Sequence, residues 1–250
     1  MEAYLWQIPS LVAIGTIAGF LNVLAGGGSL LTLPVLIFFG LPAAVANGTN
    51  RIAIFCQNIF AISGFKRQGI FPVRLALICT PPALLGSYLG ASLAIDIDET
   101  LFRRLLALIM LGVLVFTAMD PMKKLRSRDM PITRGRFAVL LVSFFLIGIY
   151  GGFVQAGVGF LVISGLLVHG LDLVRINAVK VLVIFAFTTV ALAVFIAHGQ
   201  IDYVLGSALA VGNSLGGWCA THFAVKKGHD WIKRVVTLTV LVFALRLLFW

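Results

Sequence analysis

Between Glu2 and Arg51 the chain carries no Asp, Glu, Lys or Arg. A run of that length is foreign to water-soluble domains, in which about 25% of residues are charged. Here 11% of 250 residues are charged and 60% are hydrophobic. Long uncharged stretches recur along the chain, and each crossing of a hydrocarbon core ~30 Å thick takes about 20 apolar residues. The expected fold class is an all-α integral membrane protein, with the lipid bilayer as its surroundings and no room for a separate soluble domain.

The net charge of +10 does not point to a nucleic-acid partner. Lys and Arg cluster in short loops between apolar segments, which is how topology is encoded in membrane proteins. The opening MEAYLWQIPS lacks the basic region and small-residue cleavage site of a secretory signal, so the first apolar segment is expected to be retained. Cys56, Cys79 and Cys219 lie inside apolar segments without CxxC spacing. They read as packing residues, and neither a disulfide framework nor a metal or other cofactor is expected.

Gly, Pro and charge clusters divide the chain into apolar segments at 9–25, 29–39, 43–65, 73–95 and 101–119, then 137–156, 158–168, 173–197, 203–225 and 231–250. The reading is an N-terminal membrane repeat (1–119), a basic linker (120–136) and a C-terminal membrane repeat (137–250). The halves match in detail. Gly15, Gly19, Phe20, Asn22 and Gly26 precede Gly148, Gly152, Phe153, Gln155 and Gly159 by 133 positions. Gly40, Leu41, Asn47 and Gly69 precede Gly170, Leu171, Asn177 and Gly199 by 130.

Loop charges orient the halves. Lys66, Arg67 and Arg74 mark one first-half loop as cytoplasmic, and the next is led by Asp96, Asp98 and Glu99. In the second half the loop at 198–202 has no Lys or Arg, whereas 226–234 has four. Basic loops have moved by one connection, so the repeats are expected to be inverted, with the linker cytoplasmic and the protein multi-pass in the inner (plasma) membrane. Segments 29–39 and 158–168 are only ~16 Å long as helices, which suits broken or re-entrant half-helices.

The stretch AGGGSLLTLP, residues 25–34, interrupts an apolar run with Gly26, Gly27 and Gly28 and restarts a helix with Ser29 as expected N-cap. Unwound backbone is tolerated at membrane depth only where it is buried in protein or lines a watery cavity. A half-helix N-terminus there aims N–H groups and a positive dipole end at an anion. The second half repeats the device around Gln155, Gly157 and Gly159, with Asn22 corresponding to Gln155. Arg51 falls some eight residues into the third segment, and Lys180 sits one position from its equivalent. A central Arg costs roughly 2.5–3.5 kcal/mol on translocon scales, so such residues face the protein interior and mark substrate pathways. Asn47, Thr49, Asn50 and Asn177 add neutral groups for oxyanion oxygens. The competing reading for the two cations is snorkelling to headgroups or pairing with helix-end carbonyls.

All nine acids fall at loops or segment ends, leaving Arg51 and Lys180 without a buried carboxylate partner and pointing to a substrate anion as counter-charge. The same absence argues against a carboxylate proton relay. His169, His198, His222 and His229 sit near segment ends and read as interfacial. No HExxH, nucleophile elbow or Walker loop occurs, so an enzyme is not expected. Pro81 and Pro82, and Gly212, Asn213, Gly216 and Gly217 in the counterpart, read equally as hinges or as packing positions.

The glycine break in GFLNVLAGGGSLLTLPVLIFFG, the NGTNR stretch and GGFVQAGVGF followed by Lys180 resemble the TauE/SafE family of sulfite exporters and organosulfur-anion permeases, over nearly the whole chain. The resemblance implies a duplicated transporter that exports sulfite or another small anion, with sites near the breaks. An anion channel shares the same selectivity chemistry, and a membrane-embedded enzyme or assembly subunit ranks below both. The sequence leaves a homo-oligomer open.

Overall fold

A computed structural model describes residues 2–70, 72–119, 134–167 and 173–224. Among them every regular element is a helix: α1 (Glu2–Leu24), α2 (Ser29–Phe38), α3 (Ala43–Arg67), α4 (Val73–Ile95), α5 (Glu99–Met119), α6 (Arg134–Phe153), α7 (Val158–Leu167), α8 (Leu173–Ala197) and α9 (Tyr203–Ala224). Nine of the ten expected segments are thereby accounted for, with ends shifted by at most three residues except at α1, which begins seven residues before the expected start at 9. The tenth (231–250), most of the basic linker, Gly170, Leu171, His169 and His229 lie outside the described residues.

Among the described residues four helices are long and apolar enough to cross a membrane: Leu5–Leu24, Val73–Ile95, Arg134–Phe153 and Val174–Ala197. Helices α3 and α9 have the length, at 25 and 22 residues, but α3 is diluted by polar residues that it turns inward. Asn47, Thr49, Asn50, Arg51, Gln57 and Asn58 are all at most 1% exposed. Helices α2 and α7 have ten residues each, ~15 Å by helix rise, half the hydrocarbon thickness. Both are nearly wholly buried, with Leu30, Leu33, Leu36, Val162 and Leu166 completely so.

Two glycine seams hold the outer helices. Gly15 and Gly19 of α1 face the α9 backbone at Leu209 and Asn213, while Gly212 and Gly216 of α9 face Val12 and Thr16 of α1. Gly86 and Gly90 of α4 meet Phe145 and Ile149 of α6, and Gly148 and Gly152 of α6 meet Ala83 and Ser87 of α4. Each of the four helices contributes glycines four apart, the small-xxx-small spacing that lets helix backbones approach where lipid offers no hydrophobic drive to associate. For Gly212 and Gly216, close packing is what the structure shows. Pro81 and Pro82 lie within α4, which continues through them from Val73 to Ile95.

These contacts fix relative direction. Along α1 and α9 contact positions rise together, as they do along α4 and α6. Helix α3 runs with α9, from Thr49 beside Asp202 to Gly64 beside Thr221. It runs against α8, since Gly48 meets Phe195 while Phe55 stacks on Phe185. Helix α8 runs with α4, Ser87 bonding the Phe187 carbonyl and Ala91 sharing a buried cluster with Ala191. Thus α1, α3 and α9 point one way, and α4, α6 and α8 the other.

Candidate functional site

Helix α1 ends at Leu24, the chain turns through Gly26 at φ +89°, and α2 starts at Ser29. That φ belongs to the left-handed region that glycine enters without steric cost. The expected Ser29 cap is not formed: Gly28 occupies the N-cap position and no side chain caps the helix. Among the described residues the N–H groups of Gly27, Gly28 and Ser29 therefore have no hydrogen-bond acceptor, although all three residues are buried. Buried N–H groups without a partner are rare in proteins. In the second break α6 ends at Phe153, Gly157 takes φ +71°, and α7 starts at Val158.

The breaks touch each other. A Cβ on Gly26 would collide with the Gly159 backbone, and one on Gly159 would collide with Gly26 Cα. Gly28 packs against Ala18 and Asn22 of α1. Two interruptions 133 positions apart in sequence thus form one buried region.

The two cations reach this region in a crossed arrangement. Arg51, from the first half, donates from Nη1 to the Gly151 carbonyl at 3.0 Å and from Nη2 to the Gly152 carbonyl. Its guanidinium also lies over the Phe195 ring, 4.7 Å from the centroid. Lys180, from the second half, donates from Nζ to the carbonyls of Asn22 at 3.0 Å and Val23 at 2.7 Å. Each cation therefore sits on the C-terminal end of the helix that precedes the other half's break, where helix-end carbonyls and the negative dipole end attract positive charge.

An asparagine completes each contact. Asn47 donates to the Phe153 carbonyl at 2.8 Å and accepts from Arg51 at 3.4 Å. Asn177 donates to the Leu24 carbonyl at 3.4 Å and accepts from Lys180 at 2.8 Å. Helix-end carbonyls, the competing reading of the cations, are thus their direct partners. Neither cation has a carboxylate partner among the described residues. At each break a helix C-terminus (about −0.5 charge) faces a helix N-terminus (about +0.5), and these roughly offset. The positive charge that Arg51 and Lys180 carry when protonated is then left uncompensated. Arg51 Nε and Asn50 Nδ2 are buried without a hydrogen-bond partner.

The other expected residues divide. Asn22 donates to Gln57 Oε1 at 3.2 Å, and Gln155 to Thr188 at 2.7 Å, so both break residues are tied to the core. Thr32 of α2 donates to Asn50 Oδ1 at 2.6 Å. Thr49 is placed elsewhere: its hydroxyl accepts the Asp202 N–H at 2.9 Å, at the start of α9. Sequence reasoning did not single out Gln57, which also accepts from Asn213 at 3.3 Å, nor Thr32, Thr188 or Phe195. Gln57 had a signal, being six positions past Arg51 in an apolar segment; Phe195 had none.

The remaining groups lie apart from the breaks. His198 and His222 sit exposed at helix ends. Cys56, Cys79 and Cys219 are free, half-buried, buried and exposed respectively. No cluster of metal-ligating side chains occurs among the described residues.

Comparison with known proteins bears on this geometry. The chain matches the family described as sulfite exporter TauE/SafE over residues 11–247. It is 29% identical over 229 residues to a probable membrane transporter protein of Haemophilus influenzae, covering 91% of this chain and 89% of the relative. It is 25% identical to the probable membrane transporter protein YfcA of Escherichia coli K12, covering 94% and 87%. The probable membrane transporter protein YjnA of Bacillus subtilis is 24% identical, with 96% and 99% covered. No solved structure matches the chain. A chain of apolar helices matched across nearly its whole length belongs to the TauE/SafE family of multi-pass membrane transporters.

Proposed function

We propose that the protein carries a small oxyanion, sulfite or an organosulfonate, out of the cell by alternating access, binding it where the two helix breaks meet. One observation carries this reading: Arg51 and Lys180 are both fully buried at the breaks, with no carboxylate among the described residues to balance them. Helix-end carbonyls lower the cost of burying these cations but bring only partial charge, and the facing helix N-termini offset it. An anion visiting the free N–H groups of Gly27, Gly28 and Ser29 supplies the missing charge. This binding region takes in Asn22, Gly26, Asn47, Asn50, Gln155, Gly157, Gly159 and Asn177.

The proposed architecture is a pair of inverted repeats, 1–119 and 137–250, each with a re-entrant break. Equivalent helices α1 and α6, α3 and α8, and α4 and α9 run in opposite senses, and the two glycine seams exchange on swapping the halves, which supports inversion. The basic linker 120–136 then faces the cytoplasm of a cell whose inner membrane holds the protein. An inside-negative potential favours anion exit by about 2.3 kcal/mol per charge per 100 mV, so export of this kind runs without another energy source.

The test is uptake of labelled sulfite into proteoliposomes, with sulfoacetate and sulfate as competitors. Saturable, competed and voltage-sensitive flux supports transport at a site. Unitary single-channel currents would replace alternating access by a pore, and absence of flux for every anion would overturn the substrate class.

A further inference from the structure

Away from the breaks, α3 and α9 leave a groove of about 720 Å³ between them. That volume lies within the ~300–1,000 Å³ of sites that hold whole small molecules. It begins at Ile52 and Ser207 and ends at Arg67 and Trp218, a helix rise of ~22 Å. One leaflet's hydrocarbon is ~15 Å deep. The walls are carbon-rich, and Phe60, Val211 and Leu215 along them are 48%, 54% and 53% exposed. A groove of this make suits an alkyl chain, not a hydrated anion.

Its Arg67 end has different chemistry. Arg67 and Lys66 close the last turn of α3; both are exposed, and neither has an ion pair among the described residues. Trp218 stands on the same end of α9, its ring 4.7 Å from that of His222. Basic residues and Trp together mark a membrane–water interface. We propose that this groove is a binding site for an anionic phospholipid, with one acyl chain laid along α3 and α9 and the phosphate headgroup held by Arg67. Basic pockets between membrane helices bind anionic headgroups by this charge complementarity. The site is independent of the proposed transport reaction, because none of its lining residues belongs to the breaks.

Native mass spectrometry of the full-length protein in detergent tests it, with phosphatidylglycerol and phosphatidylcholine of identical acyl chains as probes. The wild type is expected to retain phosphatidylglycerol roughly five-fold better, the scale of one basic residue near a charged headgroup. Arg67→Gln removes the preference, Arg67→Lys keeps it, and Ser207→Phe, which fills the inner end, weakens retention of both lipids. Each variant is compared at an unchanged elution volume. A preference that persists in Arg67→Gln overturns the proposal. So does competition by free inorganic phosphate that matches competition by the lipid, since Arg67 would then hold a soluble anion.

Discussion

Gly26 and Gly159 meet backbone to backbone, so the interruption in each half of the chain is the packing surface for the interruption in the other. Substituting either residue acts on both breaks. Gly26→Ala adds a methyl group that collides with the Gly159 backbone and also strains a left-handed residue, at roughly 1–2 kcal/mol for the strain alone. Gly40 provides the control, because it too has positive φ (+94°) but has nothing within 4 Å of a Cβ. The expected result is a clearly larger drop in thermal midpoint for Gly26→Ala and Gly159→Ala than for Gly40→Ala, read by size-exclusion thermal shift. Equal drops would mean that the breaks are not in contact.

Arg51 reaches the Gly151 and Gly152 carbonyls through two separate nitrogens of a planar fork, a geometry that the shorter, single ammonium of a lysine at the same position does not present. Arg51→Lys is expected to lose about 1–3 kcal/mol of stability, the cost of a buried polar group left without its partner. Arg51→Met should lose more, since Gly151 and Gly152 then both lack their donor. Denaturation in mixed micelles orders the three proteins, and a methionine variant as stable as the wild type would contradict the helix-end role.

The glycine seams tolerate no side chain. Gly90→Ala and Gly216→Ala place a Cβ against the Ile149 and Thr16 carbonyls of the facing helices, and both variants are expected to aggregate on size exclusion or melt well below the wild type. Gly112, in α5, has open space around it. Gly112→Ala should stabilise by roughly 0.5–1 kcal/mol through helix propensity. The contrast separates packing from propensity.

The proposed inverted topology is open to a labelling test. On a cysteine-free background, cysteines at Asp98 and Gln200 should react with a membrane-impermeant maleimide added to intact cells, and one at Lys66 should react only after lysis. Labelling of Lys66→Cys and protection of Asp98→Cys in intact cells would reverse the orientation.

The helix pattern was largely legible in the sequence, since apolar runs bounded by glycine and charge place the described helices within three residues, apart from the start of α1, which runs back through Pro9 to Glu2. The breaks were legible too, because Gly26 to Gly28 cannot sit unnoticed in an apolar segment. What the pattern hid is the crossing of partners. Lys180 bonds the carbonyls of Asn22 and Val23, and a backbone carbonyl leaves no mark on residue identity. For the same reason the choice between a substrate and a helix end as the partner of each cation was invisible until the fold brought α8 to α1 and α3 to α6. Ser29 misled, since a serine opening a helix resembles a cap whether or not its hydroxyl turns back, and here Gly28 holds that position. Thr49 belongs to the same polar stretch, but its hydroxyl accepts the Asp202 N–H at the start of α9, a partner that residue identity does not announce.

The most direct measurement is labelled-sulfite flux into proteoliposomes holding wild type, Gly112→Ala, Arg51→Gln or Lys180→Gln, each reconstituted from a monodisperse elution peak. The account predicts saturable flux for wild type and Gly112→Ala, and loss of at least roughly ten-fold in each charge variant, the equivalent of about 1.4 kcal/mol. Undiminished flux in both charge variants would contradict it, because the two buried cations would then have no part in holding the anion.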